Sequence, residues 1–157
     1  MKGNELTGHS GNDEIGTPQW LYDDLTRRFK FDYDAAASHI NAKAVAYSTI
    51  EGSFRYGGLL STVDGLGLEW ADRRVFVNPP YGHPRFRLFI EKAIAERNSA
   101  EIIVMLAKYD SSTENGRLLR EHFHLEYLPR IKYAGMDNAA TFASVIAIAK
   151  PDTWRKP

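Results

Sequence analysis

The chain of 157 residues contains no cysteine, which excludes disulfides and any cysteine-held metal site. Its five histidines are scattered without metal-ligand spacing, so no metal is expected. No apolar run approaches the length of a membrane span, and no membrane partner is expected. The start, Met1-Lys2-Gly3-Asn4-Glu5, lacks the apolar core of a signal peptide, so the expected setting is cytoplasmic. An excess of one charge is missing as well. Twenty lysines and arginines balance twenty aspartates and glutamates, for a formal net charge of zero. Proteins that live by phosphate contacts are usually basic, so tight unaided binding to a polyanion is disfavoured. A local basic face remains allowed, because charges are distributed rather than averaged. Repeats and low-complexity tracts are also absent.

What is present is enough for one domain with a real core. The most informative stretch is Arg74-Val75-Phe76-Val77-Asn78-Pro79-Pro80-Tyr81-Gly82. Its apolar run reads as a buried strand. The two prolines then end that strand, since neither carries an amide hydrogen for a sheet ladder. Asn78 precedes a proline and is pushed into an extended backbone. In an open α/β sheet such a loop lies where ligands bind, beyond the carboxyl ends of the strands. The loop suits methylation of an exocyclic amine on a planar base. The lone pair of that amine is delocalised into the ring, so its nitrogen is a poor nucleophile. Two fixed acceptors, the Asn78 side-chain oxygen and the Pro79 carbonyl, would draw it toward tetrahedral geometry. Tyr81 offers a flat face for an extruded base.

Along the chain, residues 1–16 read as a mobile lead-in, 17–150 as one domain and 151–157 as a frayed tail. Thr17-Pro18 has the form of a helix start, with threonine as N-cap and proline in the first turn. Leu21, Leu25 and Phe29 follow at helical spacing with Tyr22 on the shoulder, and Asp23 and Asp24 lie early in the helix. A short strand is expected over 29–35, running into the small residues Ala35-Ala36-Ala37-Ser38, and a second over 44–48. Glycine then recurs from Glu51 to Gly67, in a segment long enough to be a lid or plain disorder. Asp64-Gly65 is a turn dipeptide and Trp70 a core residue. Pro84 to Asn98 is a helix whose Phe86, Phe89, Ile90, Ala93 and Ile94 form a core stripe. Arg85 and Arg87 sit at its start, where cations oppose the dipole. Each reads ordinarily as part of a solvated face, or else as a contact to a passing phosphate backbone. The apolar run 101–107 is a central parallel strand. Ser111 and Glu114 have capping-box spacing for a helix carrying Leu118, Leu119 and Phe123. His122 and His124 fall near that helix's end.

Asn78-Pro79-Pro80-Tyr81 resembles the catalytic motif of S-adenosylmethionine-dependent amino-methyltransferases. The surrounding chain is similar to the small phage-type (Dam-type) DNA N6-adenine methyltransferases, from about Thr17 to Ile148. Asp34 followed by Ala35 resembles that family's first cofactor motif, without a glycine-rich loop. Asp64-Gly65-Leu66 resembles its acidic motif, and Arg130-Ile131-Lys132-Tyr133 and Phe142-Ala143-Ser144 its two closing strands. Asp110-Ser111 only loosely echoes its target-base loop.

The resemblance implies a Rossmann-like class I methyltransferase of the α/β class, a mainly parallel sheet of about seven strands with an antiparallel edge. It implies S-adenosyl-L-methionine as cofactor and double-stranded DNA as partner. Asn78, Pro79, Pro80 and Tyr81 would be catalytic, with Thr17, Pro18, Asp34, Ala35, Asp64 and Asn78 around the cofactor. Phe76, Tyr81, Arg85 and Arg87 would face the target base or DNA. The same loop also occurs in enzymes acting on cytosine N4, protein glutamine or RNA. A catalytically inactive DNA- or partner-binding relic of the fold stays open too. So does a homodimer, or a partner protein that supplies DNA affinity.

Overall fold

The computed structural model describes residues 16–37, 43–44, 46–49, 54–56, 59–61 and 64–155. The lead-in before Gly16, and Gly52, Gly57 and Gly58 of the glycine-punctuated segment, lie outside the described residues, and with them the question of a lid.

The chain opens with helix α1 (Gln19–Phe29) and strand β1 (Tyr33–Ala37). Strands β2 (Ala46–Thr49), β3 (Phe54–Tyr56), β4 (Leu59–Ser61) and β5 (Arg74–Val77) follow. Helix α2 (Arg85–Glu96), strand β6 (Ile102–Lys108) and helix α3 (Glu114–His122) come next. Strands β7 (Phe123–Leu128) and β8 (Ser144–Ala149) close the sequence of elements. All eight strands form one sheet in the order β4-β3-β2-β1-β5-β6-β8-β7. The centre, β2-β1-β5-β6, is parallel, and β3 and β8 run against the other six strands. The mixed α/β class is the one expected. Instead of seven strands with one antiparallel edge, the described residues form eight, with antiparallel pairing at both ends of the sheet. The additional pairing is the β3–β4 hairpin, set in the glycine-punctuated segment.

The alternation of β5 and β6 divides the core into two layers. Val75, Val77, Ile103, Met105 and Ala107 pack with Phe86, Phe89, Ile90 and Ala93 of α2 and Leu119 of α3. Phe76, Val104 and Leu106 pack with Leu21, Tyr22 and Leu25 of α1. Each fully buried valine, leucine, isoleucine, phenylalanine or methionine among them contributes about 1.5–3 kcal/mol. Because β1 has β2 on one side and β5 on the other, the chain reverses its direction of winding there. The crevice at the carboxyl ends of β1 and β5 is therefore the topological switch point. Among the described residues, no helix is long and apolar enough to cross a membrane.

Several local expectations are corrected. Pro18, not Thr17, precedes α1, because its ψ of 137° is extended and its carbonyl receives the first helical amides. The helix starts one residue late, and even so its first turn ends at Tyr22, just short of Asp23 and Asp24. It also consumes Phe29, so β1 begins only at Tyr33. Thr113, not Ser111, caps α3 and accepts from the Gly116 amide at 3.0 Å. Ser111 is displaced by a turn in which the Asp110 carboxylate accepts from the Ser112 amide at 2.9 Å and its hydroxyl at 2.6 Å. Residues 130–133 are no sheet strand. Pro129 ends β7, and the segment crosses to β8 with Ile131 and Tyr133 turned into the core. Residues 151–155 are not frayed: Asp152 accepts from Arg97 at 3.0 Å and Asn98 at 2.9 Å, and Trp154 stacks on His124.

Candidate active site

Strand β5 delivers its loop to the switch point because it is locked between β1 and β6 in parallel register. Asn78 is the first residue beyond it, half-buried, and its side-chain amide donates to the Thr17 hydroxyl at 3.1 Å. Pro79 and Pro80 are buried. The Tyr81 hydroxyl lies 2.9 Å from the Leu106 carbonyl and 3.3 Å from the Asn78 side-chain oxygen. One phenolic proton cannot serve both acceptors, and the shorter contact is to Leu106. The same hydroxyl lies 3.2 Å from that of Tyr133, which is 2.7 Å from the Ser144 hydroxyl. Burial pushes Tyr81 well above the ordinary tyrosine range, reinforced by the neighbouring Tyr133, and burial raises Tyr133 too. Both phenols are therefore neutral at physiological pH.

The Tyr81 ring packs against Phe86 at 5.2 Å and Phe142 at 5.5 Å, with interplanar angles of 67° and 82°. It is half-buried and keeps some of its surface exposed. Phe76 does not. It is 1% exposed and enclosed by Tyr22 and Phe31, each with its ring centroid 5.3 Å away. Alternation along β5 turns it under α1, so the expectation that it stacks on a target base is corrected.

Asp34 lies inside β1, its carboxylate buried and accepting from the Ala36 amide at 3.3 Å and the Lys43 amide at 3.2 Å. Burial raises its pKa to about 6, although both amides pull it down. Two hydrogen bonds thus do not fully offset desolvation of the carboxylate. Beside it the turn at Asp64 presses on β1: Gly65 packs against the Ala35 carbonyl, and Trp70 donates its indole N–H to the Gly65 carbonyl at 2.9 Å. Trp70 is fully buried, as expected of a core residue. One Asp64 oxygen caps the turn by accepting from Leu66 and Gly67, and the other pairs with Arg85 at 3.4 Å. Two carboxylates beside the switch point, one of them incompletely compensated, suit a ligand that carries positive charge and N–H donors.

Arg85 also lies over the Phe89 ring at 5.7 Å, and Arg87 donates to the Asn115 side chain, tying α2 to α3. Both arginines therefore have partners inside the fold. Among the described residues, no cluster could hold a metal ion. Tyr133 and Ser144 were not anticipated as parts of this site. The alternation of Ile131 and Tyr133 as inward residues was the available signal.

The family model described as DNA N-6-adenine-methyltransferase (Dam) matches residues 5–138. That span includes Thr17, Asp34, Asp64, the Asn78–Tyr81 loop and Tyr133. No curated protein matches the chain.

Proposed function

The chain belongs to the DNA N-6-adenine-methyltransferase (Dam) family, and from that membership and its site we propose transfer of a methyl group from S-adenosylmethionine to the N6 amine of adenine in DNA. The observation that carries this reading is the placement of the Asn78-Pro79-Pro80-Tyr81 loop at the switch point, with the Asn78 amide held by Thr17. S-adenosylmethionine, when bound, supplies an electrophilic methyl group on a sulfonium sulfur. The residues present fit it through Asp34 and Asp64, whose carboxylates keep lone pairs beyond their present bonds.

The work left to the protein is to hold the amine. With its nitrogen bonded to Thr17, Asn78 turns its oxygen away from the start of α1. That oxygen and the Pro79 carbonyl would accept the two amine hydrogens and favour the tetrahedral nitrogen of the transition state. The uncovered part of Tyr81 would stack on the extruded base. No general base is required in advance, since the proton leaves after the nitrogen has gained positive charge. Arg85 and Arg87 would reach a phosphate backbone only by exchanging their present partners, which gives them a smaller part than the loop. The Rossmann-like class I assignment agrees with the parallel centre and the switch point at β1 and β5.

Replacing Asn78 by alanine tests the mechanism. Transfer should fall by about 10²–10³-fold, as for loss of a single transition-state hydrogen-bonding group, while cofactor still binds. Unchanged transfer would refute it.

A further inference from the structure

The Asn78 amide is approached from two sides by hydroxyl groups, one from Thr17, 61 positions away in the chain, and one from Tyr81 of its own loop. Thr17 contacts its nitrogen at 3.1 Å, and Tyr81 lies 3.3 Å from its oxygen. Tyr81 is in turn anchored by Tyr133, and Tyr133 by Ser144. Thr17 and Tyr133 belong to segments joined by one backbone bridge, in which the Ala134 amide donates to the Gly16 carbonyl at 2.9 Å. Each hydroxyl-bearing residue is one position away from that bridge.

These hydroxyls are deeply buried, with Thr17 at 3% exposure and Tyr133 and Ser144 at 1%. Burying a hydroxyl costs free energy unless it is hydrogen-bonded, and valine or phenylalanine would fill the same space without that cost. The polar groups are accounted for by what they hold. An asparagine amide rotates over a broad torsional range, so presenting its oxygen in one direction requires fixed partners.

We propose that Thr17 and Tyr133 form a clasp that positions Asn78, Thr17 by bonding its amide directly and Tyr133 by bonding the Tyr81 hydroxyl, whose own proton goes to the Leu106 carbonyl, so that the loop carrying Asn78 is pinned. The proposal rests on the reading of Asn78 as acceptor for the target amine. Both are positioning residues that need not touch substrate, and Thr17 is thereby moved from lining the cofactor site to orienting the loop.

The test uses Thr17→Val, Thr17→Ser and Tyr133→Phe in the full chain. In the valine and phenylalanine variants kcat should fall about 10–100-fold, the scale of a misplaced reacting group, with KM for cofactor and DNA little changed. Serine at 17 should restore most of the rate. The two losses should combine to less than their product, because they act on one group. Hydrogen exchange of the Asn78 side-chain amide, read by nitrogen-15 NMR, provides a readout that needs no turnover. It should be slow in the parent protein and fast in Thr17→Val. If the parent protein methylates no adenine, the functional reading fails and amide exchange alone decides the clasp. Unchanged exchange in Thr17→Val, or an unchanged kcat for both variants of an active enzyme, overturns the clasp.

Discussion

Gly65 lies so close to β1 that a β-carbon there would stand 1.9 Å from the Ala35 carbonyl oxygen. This contact fixes the Asp64 turn against the strand that carries Asp34, and it joins two parts of the proposed cofactor site through backbone alone.

Gly65→Ala should therefore force the turn off β1. The expected cost is about 1–3 kcal/mol, the usual range for overpacking. Calorimetry with S-adenosylhomocysteine should show weakened binding alongside a lowered melting temperature. A variant with parental stability and affinity would mean that the approach has no consequence.

Asp34 gives the fold a pH dependence of defined sign. Its carboxyl group ionises near 6 in the folded chain against 3.8 as the ordinary value, because burial disfavours the charge. The folded state thus binds more protons between these values than the unfolded state does. Its stabilising contribution is present below the ordinary value and is lost as pH rises through about 6, a change of about 3 kcal/mol. Asp34→Asn should flatten urea-unfolding stability between about pH 4 and 6. Retention of the parental slope would assign that titration to other groups.

Helix α1 ends on Lys30 in a left-handed conformation, with φ of 51°. Glycine adopts this conformation without steric cost. Lys30→Gly should raise stability by up to about 1 kcal/mol in thermal unfolding. A lower melting temperature would show that the lysine side chain contributes more than its backbone costs.

Removing the Phe76 ring separates core from site. Phe76→Ala should cost about 3–5 kcal/mol, as for other buried aromatics. Any activity left in the folded fraction should keep the parental KM for DNA. A raised KM with little loss of stability would return Phe76 to the target base.

The loop, α2 and β6 were legible in the sequence because each rests on a local period or on proline chemistry. The same alternation that marks β5 also assigns Phe76 to the opposite face from Val75 and Val77, which the motif resemblance obscured. Thr17 fits the pattern of a helix N-cap, yet its hydroxyl serves a residue 61 positions away. Tyr133 and Ser144 were hidden for the same reason, since their partners are set by the crossing from β7 to β8. The β3–β4 hairpin escaped because recurring glycine reads as loop. Local order was readable, and the contacts that orient Asn78 are long-range.

The measurement that bears most directly on function is incubation of the purified protein with tritiated S-adenosylmethionine and unmethylated DNA, followed by nucleoside analysis. The expected result is label in N6-methyladenosine from the parent protein and its loss in Asn78→Ala. Absence of label in adenine, with cofactor bound and DNA present, would contradict the assignment.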